Sequence, residues 1–280
     1  MCDPIAARAR CRACSSHIHP RMWVNMILAM TGKGGVGKTT LSALAVGWLA
    51  EHGELPVLAV DADSNANLNE ALGIAYNATV GGIRESARKE VQALKGVSRQ
   101  EFLDLRVQAA VVEQKGYDLI VMGRPEGQGC YCFANNVLRD VLDRLARNYR
   151  NIVIDSEAGL EHISRRTLLS VDYLLIVSDC TVRGIRTAGR ISALADEVAL
   201  PTKQRGLIVN RVPGGCLPES IAVAVETTGL TLLACIPLDQ DVAALDAGGV
   251  PVSTIPPKSP ARIAMNDLLA KLFAVQEEKC

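Results

Sequence analysis

The chain has 280 residues, 49% of them apolar, which allows one large core or two small ones. Thirty basic side chains balance thirty acidic ones, so composition points to neither a nucleic-acid surface nor an anionic-membrane surface. No apolar run approaches the ~18 residues of a membrane span, and nine cysteines in a chain of this length read as thiols and metal ligands of a reducing cytoplasm, not as a disulfide framework.

Residues 1–24 mix Cys, His, Arg and Pro without apolar periodicity and are expected to form a poorly ordered extension. Arg8, Arg10, Arg12 and Arg21 precede no long apolar stretch, so the segment does not read as a signal peptide. Cys11, Cys14, His17 and His19 have metal-site spacing within it. From Val24 onward strands alternate with helices. Val24–Met30 reads as a strand, and 38–52 as a helix with Leu41, Leu44, Ala45, Trp48 and Leu49 on one face, stopped by Gly53. Pro56–Val60 is the next strand; 81–114 reads as mostly helical, 118–122 as a strand and Asn135–Tyr149 as a helix. Further strands are expected at Asn151–Asp155, Tyr173–Val177, Gly206–Val209 and Leu232–Ile236, with helices at 182–198 and 260–275. Few aromatics and many Ala, Val, Leu and Ile suit buried parallel strands covered by helices. The expected fold is α/β: a single P-loop domain over 25–280, with a mostly parallel twisted sheet of about seven or eight strands, helices on both faces and right-handed crossovers.

Gly32-Lys33-Gly34-Gly35-Val36-Gly37-Lys38-Thr39 matches the phosphate-binding loop in full, with a strand before it and a helix after it. Successive backbone N–H groups form a nest for phosphate oxygens, glycines let the backbone come close, and the helix N-terminus adds its positive end. Lys38 is placed to reach the β- and γ-phosphates and Thr39 to ligate Mg²⁺, with Thr40 beside them.

The second lysine of the loop, Lys33, makes the segment resemble the deviant Walker A family, which contains the nitrogenase iron protein, the cell-division regulator MinD, the partitioner ParA and the arsenite-pump ATPase. The resemblance implies that Lys33 crosses a dimer interface to the partner's ATP, where a second cation stabilises charge spread over the transferring phosphoryl group. It assigns Asp61-Ala62-Asp63 to switch I, with Asp63 orienting the attacking water and Asp61 behind it near Mg²⁺. It assigns Asp155-Ser156-Glu157-Ala158-Gly159 to switch II, with Asp155 holding a Mg²⁺-bound water and Gly159 offering its N–H to the γ-phosphate. Asn210-Arg211 and Pro237-Leu238-Asp239 resemble the family's adenine-binding segments. The segment Asp63-Ser64-Asn65 departs from the family's usual Asp-Pro.

Cys130-Tyr131-Cys132 lies just before the helix that leads to the Asp155 strand. A helix N-terminus favours thiolates. Two thiolates make half of a tetrahedral soft-metal site, and a symmetric dimer supplies the other half. This pair, together with Glu157-Ala158-Gly159-Leu160-Glu161-His162, resembles the CooC-type nickel-insertion ATPases of carbon monoxide dehydrogenase, from about Met26 to the C-terminus. The resemblance implies a cytoplasmic, nucleotide-dependent homodimer with one Ni²⁺ or Zn²⁺ per dimer at Cys130 and Cys132. Its client would be a nickel–iron–sulfur enzyme such as carbon monoxide dehydrogenase or acetyl-CoA synthase, with no nucleic-acid or membrane partner. Two other readings stay open: a MinD/ParA-type positioning ATPase, and an electron donor with a bridging iron–sulfur cluster, which four thiolates also suit.

Overall fold

A computed structural model of the chain describes residues 26–83, 99–123, 145, 148–156 and 171–277. Its frame is an eight-stranded sheet. The strands are β1 (Met26–Gly32), β2 (Val57–Ala62), β3 (Val112–Gln114), β4 (Tyr117–Val121), β5 (Asn151–Ser156), β6 (Val171–Asp179), β7 (Thr202–Val212) and β8 (Leu232–Pro237). They lie in the order β3-β4-β2-β5-β1-β6-β7-β8. Every neighbouring pair is parallel except β3 with β4, a tight antiparallel edge hairpin. The described helices are α1 (Lys38–Glu51), α2 (Leu68–Leu72), α3 (Arg99–Ala110), α4 (Val182–Glu197), α5 (Glu219–Glu226), α6 (Gln240–Gly248) and α7 (Pro260–Glu277).

The near-continuous apolar runs of the central strands follow from burial on both faces. All seven residues of β1 and all six of β5 are buried. Alternate side chains feed two cores. Ile27, Leu58, Ile152 and Leu174 pack toward α4 and α5, while Leu28, Ala59, Val153 and Leu175 pack toward α1 and α7. Helix α1 is buried over most of its circumference because it sits between sheet and α7. Trp48 packs on Phe273 with ring centroids 5.3 Å apart, and Arg262 of α7 donates to both carboxylate oxygens of Glu51 at 2.7 Å.

Three features differ from the sequence expectation. Residues Val112–Gln114, expected to continue a helix, form the edge strand β3, which turns at Gly116 (φ +97°). Asn210 and Arg211, expected just past a strand, lie inside β7, which is 11 residues long. The short helices α2, α5 and α6 were not expected at all. The 1–24 extension, Cys130, Cys132, Gly159 and most of the expected Asn135–Tyr149 helix lie outside the described residues.

All strands that flank β1 run the same way, so Gly32, Ala62, Ser156, Asp179, Val212 and Pro237 end along one edge of the sheet. In open α/β sheets ligands bind at this carboxyl edge, where connections diverge to either side.

Candidate nucleotide site

Gly32 closes β1 at φ +148°, paired with Val177 of β6; an added Cβ would stand 2.2 Å from the Val177 carbonyl oxygen. Only glycine fits there, and it releases the chain into the phosphate loop. Lys33, Gly34 and Gly35 are exposed, whereas Val36 is buried and anchors the loop to the core. Gly37 is the N-cap of α1 in the left-handed region (φ +93°); it offers no side-chain cap, and the first turn carries no acidic residue. The helix N-terminus is therefore left with its N–H donors and positive end facing the loop, which suits the phosphates of ATP. Lys38 is buried in the first turn, and its Nζ donates to the Lys33 carbonyl at 3.2 Å. Thr39 and Thr40 are half-buried beside it.

Asp61 of β2 and Asp155 of β5 stand in register on adjacent strands. Asp61 is fully buried; its Oδ1 accepts from the Asp63 N–H (3.1 Å) and its Oδ2 from the Leu68 N–H (2.8 Å). Burial, with the Asp155 charge adding to it, pushes the Asp61 carboxyl up to about 7 against the pull of those two bonds. Its first task is thus to hold the 63–68 loop and the start of α2. Asp155 Oδ1 accepts from the Ser42 hydroxyl at 3.1 Å. Burial raises its carboxyl to about 6, opposed by the Thr39 and Ser42 hydroxyls and by Lys38, with Asp63 close enough to raise it further. Its Oδ2 is buried without a hydrogen-bond partner among the described residues. A buried acceptor of this kind beside the hydroxyl of Thr39 fits a hydrated Mg²⁺. Asp63 is half-buried, and its Oδ1 accepts from the Asn65 N–H at 2.7 Å.

Lys38, Thr39 and Asp63 thus all lie close enough to Asp155 to act on its carboxyl. Ser42 was missed. It lies four residues after Lys38, one helical turn on, and that spacing was the available signal.

Asn210 is buried; its Nδ2 donates to the Val36 carbonyl at 2.8 Å and its Oδ1 accepts from the Arg211 N–H at 2.9 Å. Arg211 takes the left-handed conformation (φ +58°), and its Nη1 donates to the Gly35 carbonyl at 3.0 Å. Both residues thus clamp the phosphate loop. Beside them opens a cavity of about 420 Å³, lined among others by Thr40, Asn210, Arg211, Pro237, Leu238 and Val242. A lining that mixes polar and apolar groups suits a purine. Leu238, part of the expected Pro237-Leu238-Asp239 segment, and Val242, which the sequence did not single out, supply apolar lining. Asp239 fixes it: the carboxylate accepts from Asp241 N–H (2.8 Å), Ser259 Oγ (2.5 Å) and Ala261 N–H (2.9 Å), joining the starts of α6 and α7.

Among the described residues no three His, Cys, Asp or Glu side chains are grouped to hold a metal ion. No described helix is long and apolar enough to cross a membrane.

The profile of the AAA domain family matches residues 24–205. An uncharacterized ATP-binding protein of Methanocaldococcus jannaschii is 39% identical over 251 residues, covering 89% of this chain and 98% of its own. The carbon monoxide dehydrogenase accessory protein CooC of Rhodospirillum rubrum is 30% identical over 272 residues, covering 90% and 99%. The septum site-determining protein MinD of Pyrococcus horikoshii, solved with Mg-ADP, shares the fold at a TM-score of 0.67 and 23% identity, covering 91% of this chain and 99% of its own. The chain belongs to the AAA domain family and, within it, to the MinD/ParA-like, CooC-like group of ATP-hydrolysing P-loop enzymes.

Proposed function

We propose that the chain is a dimeric metallochaperone that couples ATP hydrolysis to the handling of nickel or zinc by Cys130 and Cys132, in support of nickel insertion into a client such as carbon monoxide dehydrogenase. The observation that carries this reading is the Cys130-Tyr131-Cys132 pair in a chain 30% identical to CooC along 90% of its length. The loop N–H groups and Lys38 hold the phosphates. Thr39 and Asp155 would hold Mg²⁺ and its water, and the ion would supply neutralisation of the phosphate charge. Asp63 orients the attacking water; as its oxygen bonds to the γ-phosphorus, the bond to the ADP oxygen breaks and the water's proton is released. Lys33, supplied by the partner, meets the developing charge. Loss of the γ-phosphate removes the contact to the Gly159 N–H, and the dimer relaxes. Ni²⁺ or Zn²⁺ is the cargo, held between two Cys pairs across the two-fold axis.

The test is equilibrium dialysis with Ni²⁺ and with Zn²⁺, with and without ATP, on the wild type and on Cys130→Ala/Cys132→Ala. The wild type is expected to bind one ion per two chains and the variant none. Equal binding by both would sink the reading. Relatives named as MinD, such as that of Thermotoga maritima at 25% identity, favour a positioning ATPase as second reading. That reading predicts ATP-dependent co-sedimentation with anionic vesicles, unaffected by the cysteine changes. The iron–sulfur alternative predicts a brown protein on anaerobic purification.

A further inference from the structure

Three described cysteines play no part in the nucleotide site, yet they end up near one another. Cys180 follows β6, Cys216 follows the turn Pro213–Gly215 after β7, and Cys235 lies in β8. These are three adjacent parallel strands, and each cysteine lies at or toward the carboxyl end of its strand. Cys180 and Cys235 pack against the same hydrophobic core, on the α4/α5 face of the sheet, and so does Leu217, next to Cys216. The chain path brings Cys216 toward Cys235. Val212 pairs with Pro237, and its carbonyl accepts from the Leu238 N–H at 2.9 Å. The chain then turns through Gly214 and Gly215, both at positive φ. Gly215 comes to rest on the Pro237 ring, where an added Cβ would be 3.6 Å from Pro237 Cγ. Cys235, two residues before Pro237, projects to the same side of β8 by strand alternation. Burial holds the Cys235 thiol above its ordinary pKa, and the neighbouring Cys180 and Cys216 thiols add to that shift. Cys216 is exposed, while Cys180 and Cys235 are half-buried.

We propose that Cys216 and Cys235 form a thiol–disulfide switch that ties the 213–216 turn to β8 and thereby makes nucleotide binding depend on thiol redox state. Cys216, the accessible member, is the entry point. Its thiolate attacks one sulfur of a small disulfide such as oxidised glutathione and expels one glutathione thiolate. The Cys235 thiol then gives up its proton, attacks the Cys216 sulfur and expels the second glutathione. Two protein thiols are oxidised to one disulfide, and one glutathione disulfide is reduced to two thiols. The bridge acts on ATP because both tied segments adjoin the cavity: Arg211 lies two residues before Pro213, and Pro237 lies two after Cys235. The inference does not rest on the metal reading, since neither Cys130 nor Cys132 enters it.

The full chain is incubated anaerobically with oxidised glutathione, alkylated, and cleaved after glutamate. Glu197, Glu219 and Glu226 then separate Cys180, Cys216 and Cys235 into three peptides. A Cys216–Cys235 cross-linked peptide is expected in the wild type. Cys235→Ser should stop at a Cys216–glutathione adduct, and Cys216→Ser should leave Cys235 alkylated. Affinity for a fluorescent ADP analogue is expected to fall about fivefold on oxidation, the low end of ordinary coupling between sites. It should return on reduction and stay unchanged in Cys216→Ser. Absence of the Cys216–Cys235 peptide, a bridge on another pair, or a bridge that leaves nucleotide affinity unaltered would each overturn the proposal.

Discussion

Gly32 sets how tightly the phosphate loop can approach the sheet. A methyl group there meets the Val177 carbonyl oxygen, a backbone atom, at 2.2 Å, and no side-chain rotation relieves the clash. Gly32→Ala must therefore part β1 from β6 at the site itself. Overpacking of this kind costs about 1–3 kcal/mol, so urea denaturation should show a lower midpoint together with lost ATP binding. Asn210 offers a contrast. Its amide spans Val36 and Arg211 inside the protein, and Asn210→Ala leaves the Val36 carbonyl without that donor. A loss of about 1–3 kcal/mol is expected. If adenine recognition depended on this amide alone, the variant would keep wild-type stability and lose only nucleotide affinity; calorimetry with ADP, set beside thermal denaturation, separates the two outcomes.

Elements differ in how much of their origin can be read in sequence. The loop and its flanking strand and helix were legible because a phosphate nest needs glycines at fixed spacing and a buried strand needs an unbroken apolar run. Lys38 and Thr39 follow from that frame, whereas Asp63 and Asp155 were singled out by resemblance to the deviant Walker A switch segments. Helices α2, α5 and α6 escaped because they span only 5, 8 and 9 residues, too short for periodicity to stand out. Residues Val112–Gln114 gain their strand character from pairing with β4, a tertiary partner no local pattern names. Asn210 and Arg211 sit inside a strand because β7 runs beyond its apolar segment, and Arg211, next to its last residue Val212, takes a left-handed conformation usually left to glycine. Asp239, expected only as part of an adenine-binding segment, ties β8 to two helices. Burial pushes its carboxyl up, but the bonds from Ser259, Ala261, Asp241 and Val242 outweigh that and hold it below the ordinary 3.8. A depressed folded pKa stabilises the protein above the unfolded value, and the gain is lost as pH falls through the folded one. Asp239→Ala should cost at least about 1–2 kcal/mol at neutral pH, as loss of an N-cap does. The gap in stability between variant and wild type should narrow below pH 3.8, read from urea melts across that range. A gap constant with pH would show that the carboxylate charge is not what holds α6 and α7.

At the scale of the whole molecule, Lys33 is the charged group of the loop that lies apart from the Asp155 cluster among the described residues. Lys38 is buried and turned inward, whereas Lys33 is exposed on the outer side of the loop. An exposed lysine next to the γ-phosphate position can serve a neighbour's nucleotide only if two chains face each other across their carboxyl edges. That arrangement makes a test possible that no single-chain role of Lys33 would pass. Lys33→Ala and Asp63→Ala should each bind ATP and each hydrolyse it poorly. In the proposed ATP-dependent dimer, mixing them with ATP would give heterodimers in which one of the two sites is whole: the Lys33→Ala chain contributes its own Asp63, and its partner contributes Lys33. Activity should then rise well above the sum of the separate variants. If Lys33 serves its own chain, every site in the mixture lacks one residue and the mixture stays as inactive as its parts. The readout is phosphate release against mixing ratio, with a maximum expected at equal amounts.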